Sequence, residues 1–327
     1  MCDDSLEHEE AVFTVRAKLL FLKAEPICYP YGHPFGGKTS RVQSVDLHAH
    51  STASDGLLSP PSLIRRAAER GVDVLALTDH DVTSGIDEAR AVAHAYGVHL
   101  IAGVEISVTW QGKTIHVVGL HVDPACARLQ TGLAAVRSGR RARAERMAAD
   151  LARVGIEGSF AGAVHHAANP DFIGRLHFAR YLVESGLASD AHDVFRRYLA
   201  EGRPGFVEHH WANLEDAVGW IRGAGGEAVI AHPGRYRLSE EKLAQLLTEF
   251  RDLGGTGVEI VAPSHRPDQC AALARLCRTL ELKASLGSDF HGPGEQRFDL
   301  GRLPMLPSGV RPIWEGWGLA PAVAAAY

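Results

Sequence analysis

The stretch Asp46-Leu47-His48-Ala49-His50-Ser51-Thr52-Ala53-Ser54-Asp55-Gly56 constrains the chain more than any other. In an extended strand alternate side chains share a face, so His48 and His50 project together while Leu47 and Ala49 turn to the packing side. Two imidazoles on one face form a metal clamp. A strand ending in such a clamp, followed by a Ser/Thr/Gly-rich turn that returns Asp55 to it, suits a metal site at the mouth of an α/β barrel. A single His-x-His in a chain with 18 histidines is also what a surface pair looks like, so its weight depends on the rest of the sequence.

The rest of the chain alternates strand and helix. Ser59-Pro60-Pro61 opens a helix with a serine cap and proline in its first turn, and Gly71 closes it. Residues 72–78 read as a buried strand delivering Asp79-His80-Asp81, 84–96 as a helix, and 99–108 as a strand carrying Glu105. Gln111-Gly112-Lys113 reads as a hairpin turn into 114–120, which carries His116. Between about 123 and 208 strands are missing, and 128–154, 174–185 and 191–201 are expected to be helices of an inserted subdomain. The rhythm then resumes. A helix over 213–223 leads to a strand over 228–231 ending in His232-Pro233-Gly234, then helix 239–253, strand 257–261, helix 267–280 and strand 283–286 before Gly287-Ser288-Asp289-Phe290-His291. Strand and helix in alternation imply a parallel, barrel-like α/β fold. His48, His50, His80, Glu105, His232, Asp289 and His291 all fall at or near expected strand ends, the face on which such barrels assemble their sites.

Composition narrows the alternatives. With 34 basic and 39 acidic residues the net charge is −5, which disfavours general coating of nucleic acid. Five scattered cysteines without C-x-x-C spacing argue against a disulfide framework, so a cytoplasmic chain is expected. The apolar run 17–21, flanked by Arg16 and Lys23 and containing Lys18, is too short to span a membrane. Residues 1–42, with an acidic start and a Pro/Gly/Tyr run from 26 to 37, read as a poorly ordered extension.

The tracts Asp46 to Gly56, Thr78-Asp79-His80-Asp81, Gly103-Val104-Glu105-Ile106-Ser107, Ala231-His232-Pro233-Gly234 and Gly287 to His291 resemble, in order, those of the polymerase and histidinol phosphatase (PHP) family of the amidohydrolase superfamily. The resemblance spans about 45–317. Within the family it is strongest to 3′,5′-nucleoside bisphosphate phosphatases and a 5′-to-3′ exoribonuclease, through Gly174-Arg175-Leu176-His177-Phe178-Ala179-Arg180, Gly202 to Val207 and Ala231 to Tyr236. It implies a distorted TIM-like (β/α)7 PHP barrel in two parts, 43–122 and 209–327, around a helical insertion, 123–208, that recognises substrate.

The resemblance also implies three divalent ions, with manganese favoured and zinc or iron as alternatives. His48, His50, Glu105 and Asp289 would hold the first. Glu105 would bridge to a second, also held by His116 and His232, and Asp55, His80 and His291 would hold the third. Catalysis would centre on Glu105, Asp289 and His232. Three such ions against three carboxylates leave a net charge of roughly +3, suited to a phosphate dianion and a metal-bound hydroxide. Arg140, Arg143, Arg175 and His177, with Asp55 and His80, are the expected substrate contacts, since guanidinium forks match phosphate. An Arg run on a helix is otherwise a solvated face, and Arg141 is expected to be one.

The expected reaction removes the 5′-phosphate of a pAp-like 3′,5′-bisphosphate, with trimming of short 5′-phosphorylated RNA as a further activity on the same attack. No obligatory protein partner is expected. The alternatives are a histidinol-phosphate phosphatase and a non-catalytic metal-binding PHP module.

Overall fold

The computed structural model describes residues 44–319, so the expected extension over 1–42 lies outside the described residues. Seven strands, β1 (Val45–Asp46), β2 (Val74–Leu77), β3 (His99–Trp110), β4 (Lys113–Leu120), β5 (Glu227–Ile230), β6 (Gly257–Val261) and β7 (Lys283–Leu286), lie in one sheet in chain order. Neighbours are parallel except β4, which runs antiparallel to both β3 and β5. The two edges meet. Leu47 N–H donates to the Leu286 carbonyl at 3.1 Å, and Ala49 bridges Phe290 in parallel, so the sheet curls into a nearly closed barrel.

Helices α1 (Pro60–Glu69) and α2 (Ile86–Ala93) cover the first strands. The Ser59 hydroxyl accepts the Ser62 N–H, capping α1 where Pro60 and Pro61 occupy its first turn. Strand periodicity then divides the core. On β2, Val74 and Ala76 join Val45, Ile101, Val118, Leu120, Val229 and Ile313 in one cluster, while Leu75 and Leu77 pack on Leu63, Ile64 and Ile86 of the helices.

Between β4 and β5 the chain contributes α3 (Ala127–Ser138), α4 (Arg140–Ala152), α5 (Ser159–His166), α6 (Arg175–Glu184), α7 (Ala191–Val194) followed by a π-helical turn over Phe195–Leu199, and α8 (Leu214–Gly223). The one helix expected over 128–154 is two. Gly139 separates them; its low helix propensity makes the break inexpensive, and a Cβ there would lie 2.5 Å from His209 Cε1. Leu129 and Leu133 of α3 pack with Val218 and Ile221 of α8 on the barrel, whereas Met147, Leu151, Phe178, Leu182, Val194 and Leu199 of α4 to α7 and the π-helical turn form a core of their own. Helices α9 (Glu240–Asp252) and α10 (Pro267–Thr279) complete the outer layer. No described helix is long and apolar enough to cross a membrane.

Candidate metal centre

Strand β1 is only two residues long, so His48 and His50 lie past it rather than within it as expected. Their alternation nevertheless persists, because the Ala49–Phe290 bridge and the His50 N–H bond to the Phe290 carbonyl keep the segment extended. Both imidazoles are fully buried. The following turn closes with Gly56 N–H donating to the Ser51 carbonyl at 2.8 Å, which returns Asp55 to the site. Any side chain at position 56 would strike the His50 carbonyl, 2.4 Å from an added Cβ. His80 follows β2 and bridges Glu105 on β3, His116 stands opposite Ser107 in the β3–β4 ladder, and His232, Asp289 and His291 follow β5 and β7.

These nine side chains converge. Nε2 of His48 lies 3.1 Å from Nε2 of His50, 3.3 Å from Glu105 Oε2 and 3.5 Å from Asp289 Oδ1. His50 Nε2 in turn lies 3.4 Å from that Glu105 oxygen and 3.3 Å from that Asp289 oxygen. Donors held ~2.1 Å from one tetrahedral ion are ~3.4 Å apart, the spacing found here. The other Glu105 oxygen, Oε1, faces His116 Nδ1 at 2.7 Å and His232 Nε2 at 2.9 Å. Asp55 lies 3.5 Å from His291 Nε2 and 3.9 Å from His80 Nε2. By mutual distance alone, His50 also falls with Asp55, His80 and His291, His232 with His48, Glu105 and Asp289, and His80 with Glu105 and His116, all within 4.8 Å.

Burial would push the carboxyls of Asp55, Glu105 and Asp289 up, but the imidazoles around each more than offset this and hold all three well below the usual carboxylate range. Burial, with His291 and His80 nearby, drives His50 down to about 3, and burial drives His116 down to about 4. At His291 the burial penalty is outweighed by Asp55, and its value rises to about 9. Nδ1 of His50, His80 and His232 and Oε2 of Glu105 are buried without any hydrogen bond among the described residues. His80 Nδ1 lies 2.9 Å from Glu105 Oε2 without the alignment of a hydrogen bond. Lone pairs left over in a buried imidazole and carboxylate set fit divalent metal ions.

The expected substrate residues divide. Arg140 is already engaged: Nη2 bonds Asp81 and Ser107, and its guanidinium stacks 4.1 Å from the Phe172 ring centre and 4.6 Å from that of Trp211. Arg143 donates to the Val207 carbonyl at 3.2 Å, and burial with the charges of Arg175 and Arg140 lowers it to about 9. Arg175 makes no hydrogen bond or ion pair among the described residues, and burial with Arg235 and Arg140 lowers it to about 10. Both stay cationic at neutral pH. His177 accepts the Gly174 N–H on Nδ1 at 3.1 Å and so caps α6. Arg141 is exposed and pairs with Glu145, the solvated face expected of it.

Several residues of the site escaped the sequence reading. Arg235, 3.8 Å from Asp289, joins the arginine cluster. Phe172 lies parallel to His80, with ring centres 5.8 Å apart. Buried carboxylates clamp the loops that bear the ligands. Asp46 accepts from Ser288 N–H, Asp79 from Ser51 and Ser54, Asp81 from Ser107, and Glu259 from His232 N–H. Asp79 and Asp81 flank His80, yet Asp79 serves the turn at Ser51 and Asp81 serves Ser107 on β3, and neither bonds the His80 ring. The available signal was a charged residue inside an otherwise apolar strand, as Glu259 is in β6.

A model of the PHP domain matches residues 46–260. Over 273 residues the chain is 50% identical to a 3′,5′-nucleoside bisphosphate phosphatase of Chromobacterium violaceum, covering 84% of this chain and 96% of that protein. Over 281 residues it is 44% identical to the 5′-3′ exoribonuclease Rnm of Salmonella typhimurium, covering 85% and 95%. The structure superposes with a TM-score of 0.81 and 50% identity on an amidohydrolase from Chromobacterium violaceum solved with bound sulfate and no metal, covering 83% of this chain and 95% of that one.

Proposed function

The chain belongs to the PHP domain family, and on that premise we propose that it is a metal-dependent phosphoesterase that removes the 5′-phosphate of 3′,5′-nucleoside bisphosphates, yielding a 3′-nucleotide and phosphate. The observation that carries the reading is Glu105, whose two oxygens face two different sets of imidazoles, as a carboxylate bridging two cations must. His48, His50, Glu105 and Asp289 would hold one ion, Glu105, His116 and His232 a second, and Asp55, His80 and His291 a third. Mixed imidazole and carboxylate donors suit manganese, zinc or iron better than magnesium. When bound, such ions supply Lewis acidity, lowering the pKa of water and neutralising phosphate oxygens.

The protein's own groups do the rest. Glu105, Asp289 and His232 keep the reacting phosphate's surroundings fixed, and the burial of Glu105 and His232 excludes bulk water from their side of it. Arg175, Arg143 and Arg235 form a cation cluster with Arg140, whose mutual repulsion an anion would relieve, and the second phosphate of the substrate is the anion of the right charge. The segment 123–208 thus serves recognition, with Arg140 as the strut that holds α4 against Asp81.

The likeness to an exoribonuclease favours a second activity on the same centre, stepwise removal of nucleotides from 5′-phosphorylated RNA. A histidinol-phosphate phosphatase would leave the arginine cluster without a second phosphate to hold, and a non-catalytic metal-binding module would leave it without any phosphate at all. The absence of C-x-x-C spacing and the free Cys126, Cys270 and Cys277 suit the cytoplasm. The deciding experiment measures phosphate release from pAp beside nucleotide release from a 5′-phosphorylated RNA oligomer, on manganese-loaded protein. Turnover of pAp is expected. Turnover of neither substrate, or of histidinol phosphate in preference, overturns the proposal.

A further inference from the structure

We infer that Glu259, outside the proposed ligand set, is the positioning residue that commits His48 to bind metal through Nε2 and ties it to His232. The inference rests on the reading of His48 and His232 as ligands.

Glu259 is the one charged residue of β6, 2% exposed among Gly257, Val258, Ile260 and Val261. A buried carboxylate is costly unless both oxygens find partners. Both do. Oε1 lies 3.0 Å from His48 Nδ1, and Oε2 accepts the backbone N–H of His232 at 2.6 Å. An ionised carboxylate only accepts, so His48 Nδ1 must carry the proton. That leaves the Nε2 lone pair free, and Nε2 is the atom facing His50, Glu105 and Asp289.

The second oxygen acts on the backbone. His232 has φ 28° and ψ 54°, a left-handed conformation that is unfavourable for a residue with a Cβ. Its N–H points at Glu259, so one carboxylate fixes a ring on the β1 side of the barrel and a strained backbone after β5. The chain around the pair is shaped to permit the contact. A Cβ at Gly287 would lie 2.2 Å from His48 Cβ and 2.7 Å from Glu259 Oε1. The loop after β6 holds the same turn from its other end, since His265 donates from Nδ1 to the Ile260 carbonyl and accepts the Gly234 N–H on Nε2.

Glu259→Gln separates this role from packing. The amide keeps the volume and can still accept from His232, but its NH2 then faces His48 Nδ1 and favours the opposite tautomer, with the proton on Nε2. Zinc binding to the full-length protein would be titrated against a chelator, alongside melting of the metal-free protein. Nitrogen NMR of histidine-labelled, zinc-loaded wild type would report the tautomer, with His48 assigned by its loss in His48→Gln. We expect wild-type His48 protonated at Nδ1, and about 10- to 100-fold weaker zinc retention in Glu259→Gln with an unshifted metal-free melting temperature. Wild-type His48 protonated at Nε2, or a variant that holds zinc as tightly as wild type, overturns the inference while leaving the metal centre standing. Should the variant not fold, the wild-type tautomer decides alone. A wild type that takes up no zinc overturns the metal reading and this inference together.

Discussion

Arg180 donates from Nη2 to the carbonyl oxygen of Asp55 at 2.6 Å, so a residue of the helical segment holds the backbone of a proposed metal ligand. The same guanidinium grips Glu295 through Nε at 2.8 Å and Nη2 at 2.7 Å, and Asn169 donates to the Ala53 carbonyl nearby. The core of α4 to α7 is separate from that of the barrel, so polar struts of this kind carry its attachment to the turn bearing Asp55.

Arg180→Ala should therefore destabilise the protein by about 2–4 kcal/mol, since it strands a largely buried Glu295 and removes the Asp55 carbonyl's donor. Arg180→Lys, which keeps the charge without the fork, should lose less. Urea unfolding of the three proteins measures this. Equal stability of wild type and Arg180→Ala would show that the attachment lies elsewhere.

Replacing Glu105 by Gln, or Asp289 by Asn, should bring hydrolysis of every phosphate ester below about one-thousandth of wild type, the several kcal/mol of charge stabilisation that metal supplies. Metal content by elemental analysis should fall in parallel. Retained turnover at full metal content would remove these residues from the centre.

The convergence of these nine side chains was legible because they are chemically rare and most of them stand where strands end, although Glu105 and His116 lie within β3 and β4. His-x-His, Asp-His-Asp and Ser-Asp-Phe-His each follow an apolar run, and a barrel brings such ends together. What supports them was not legible. Glu259 shows in sequence only as a charge inside an apolar strand and Asp46 only as an acid at a strand end, and it is the register between β1, β5, β6 and β7 that aims them at His48, His232 and Ser288. The close approach of His209 to Gly139, which leaves no room for a Cβ, joins positions far apart in the chain, and no local propensity encodes it. Arg140 looked like a free phosphate ligand because a helix face says nothing of the Asp81 that meets it.

The two arginines accordingly separate by experiment. Arg175→Ala should lower kcat/KM for pAp by about 10- to 100-fold, the worth of a charge-assisted contact, while leaving a simple aryl phosphate nearly unaffected. Arg140→Ala should impair both substrates and the melting temperature, because it releases buried Asp81 and Ser107 beside His80 and Glu105. Equal losses on both substrates in Arg175→Ala would make that residue structural too.

The His177 ring supplies a pH prediction. Burial lowers its pKa to about 4, with Asp55 opposing the shift, and an unfolded histidine titrates near 6.5. Between those values the unfolded chain binds a proton that the folded one refuses, so stability falls as pH drops through 6.5 towards 4. By pH 5 the loss from this ring should reach about 2 kcal/mol, 1.36 kcal/mol for each unit below 6.5. His177→Gln lacks the titration but keeps an oxygen able to accept the Gly174 N–H, in the position where Gln serves a capping box. Every other titrating group is common to both proteins and cancels in the comparison. Urea midpoints at pH 7 and pH 5 should therefore show wild type losing about 2 kcal/mol more than His177→Gln. Parallel losses would mean that the ring takes up its proton in the folded state and that α6 does not depend on a neutral His177.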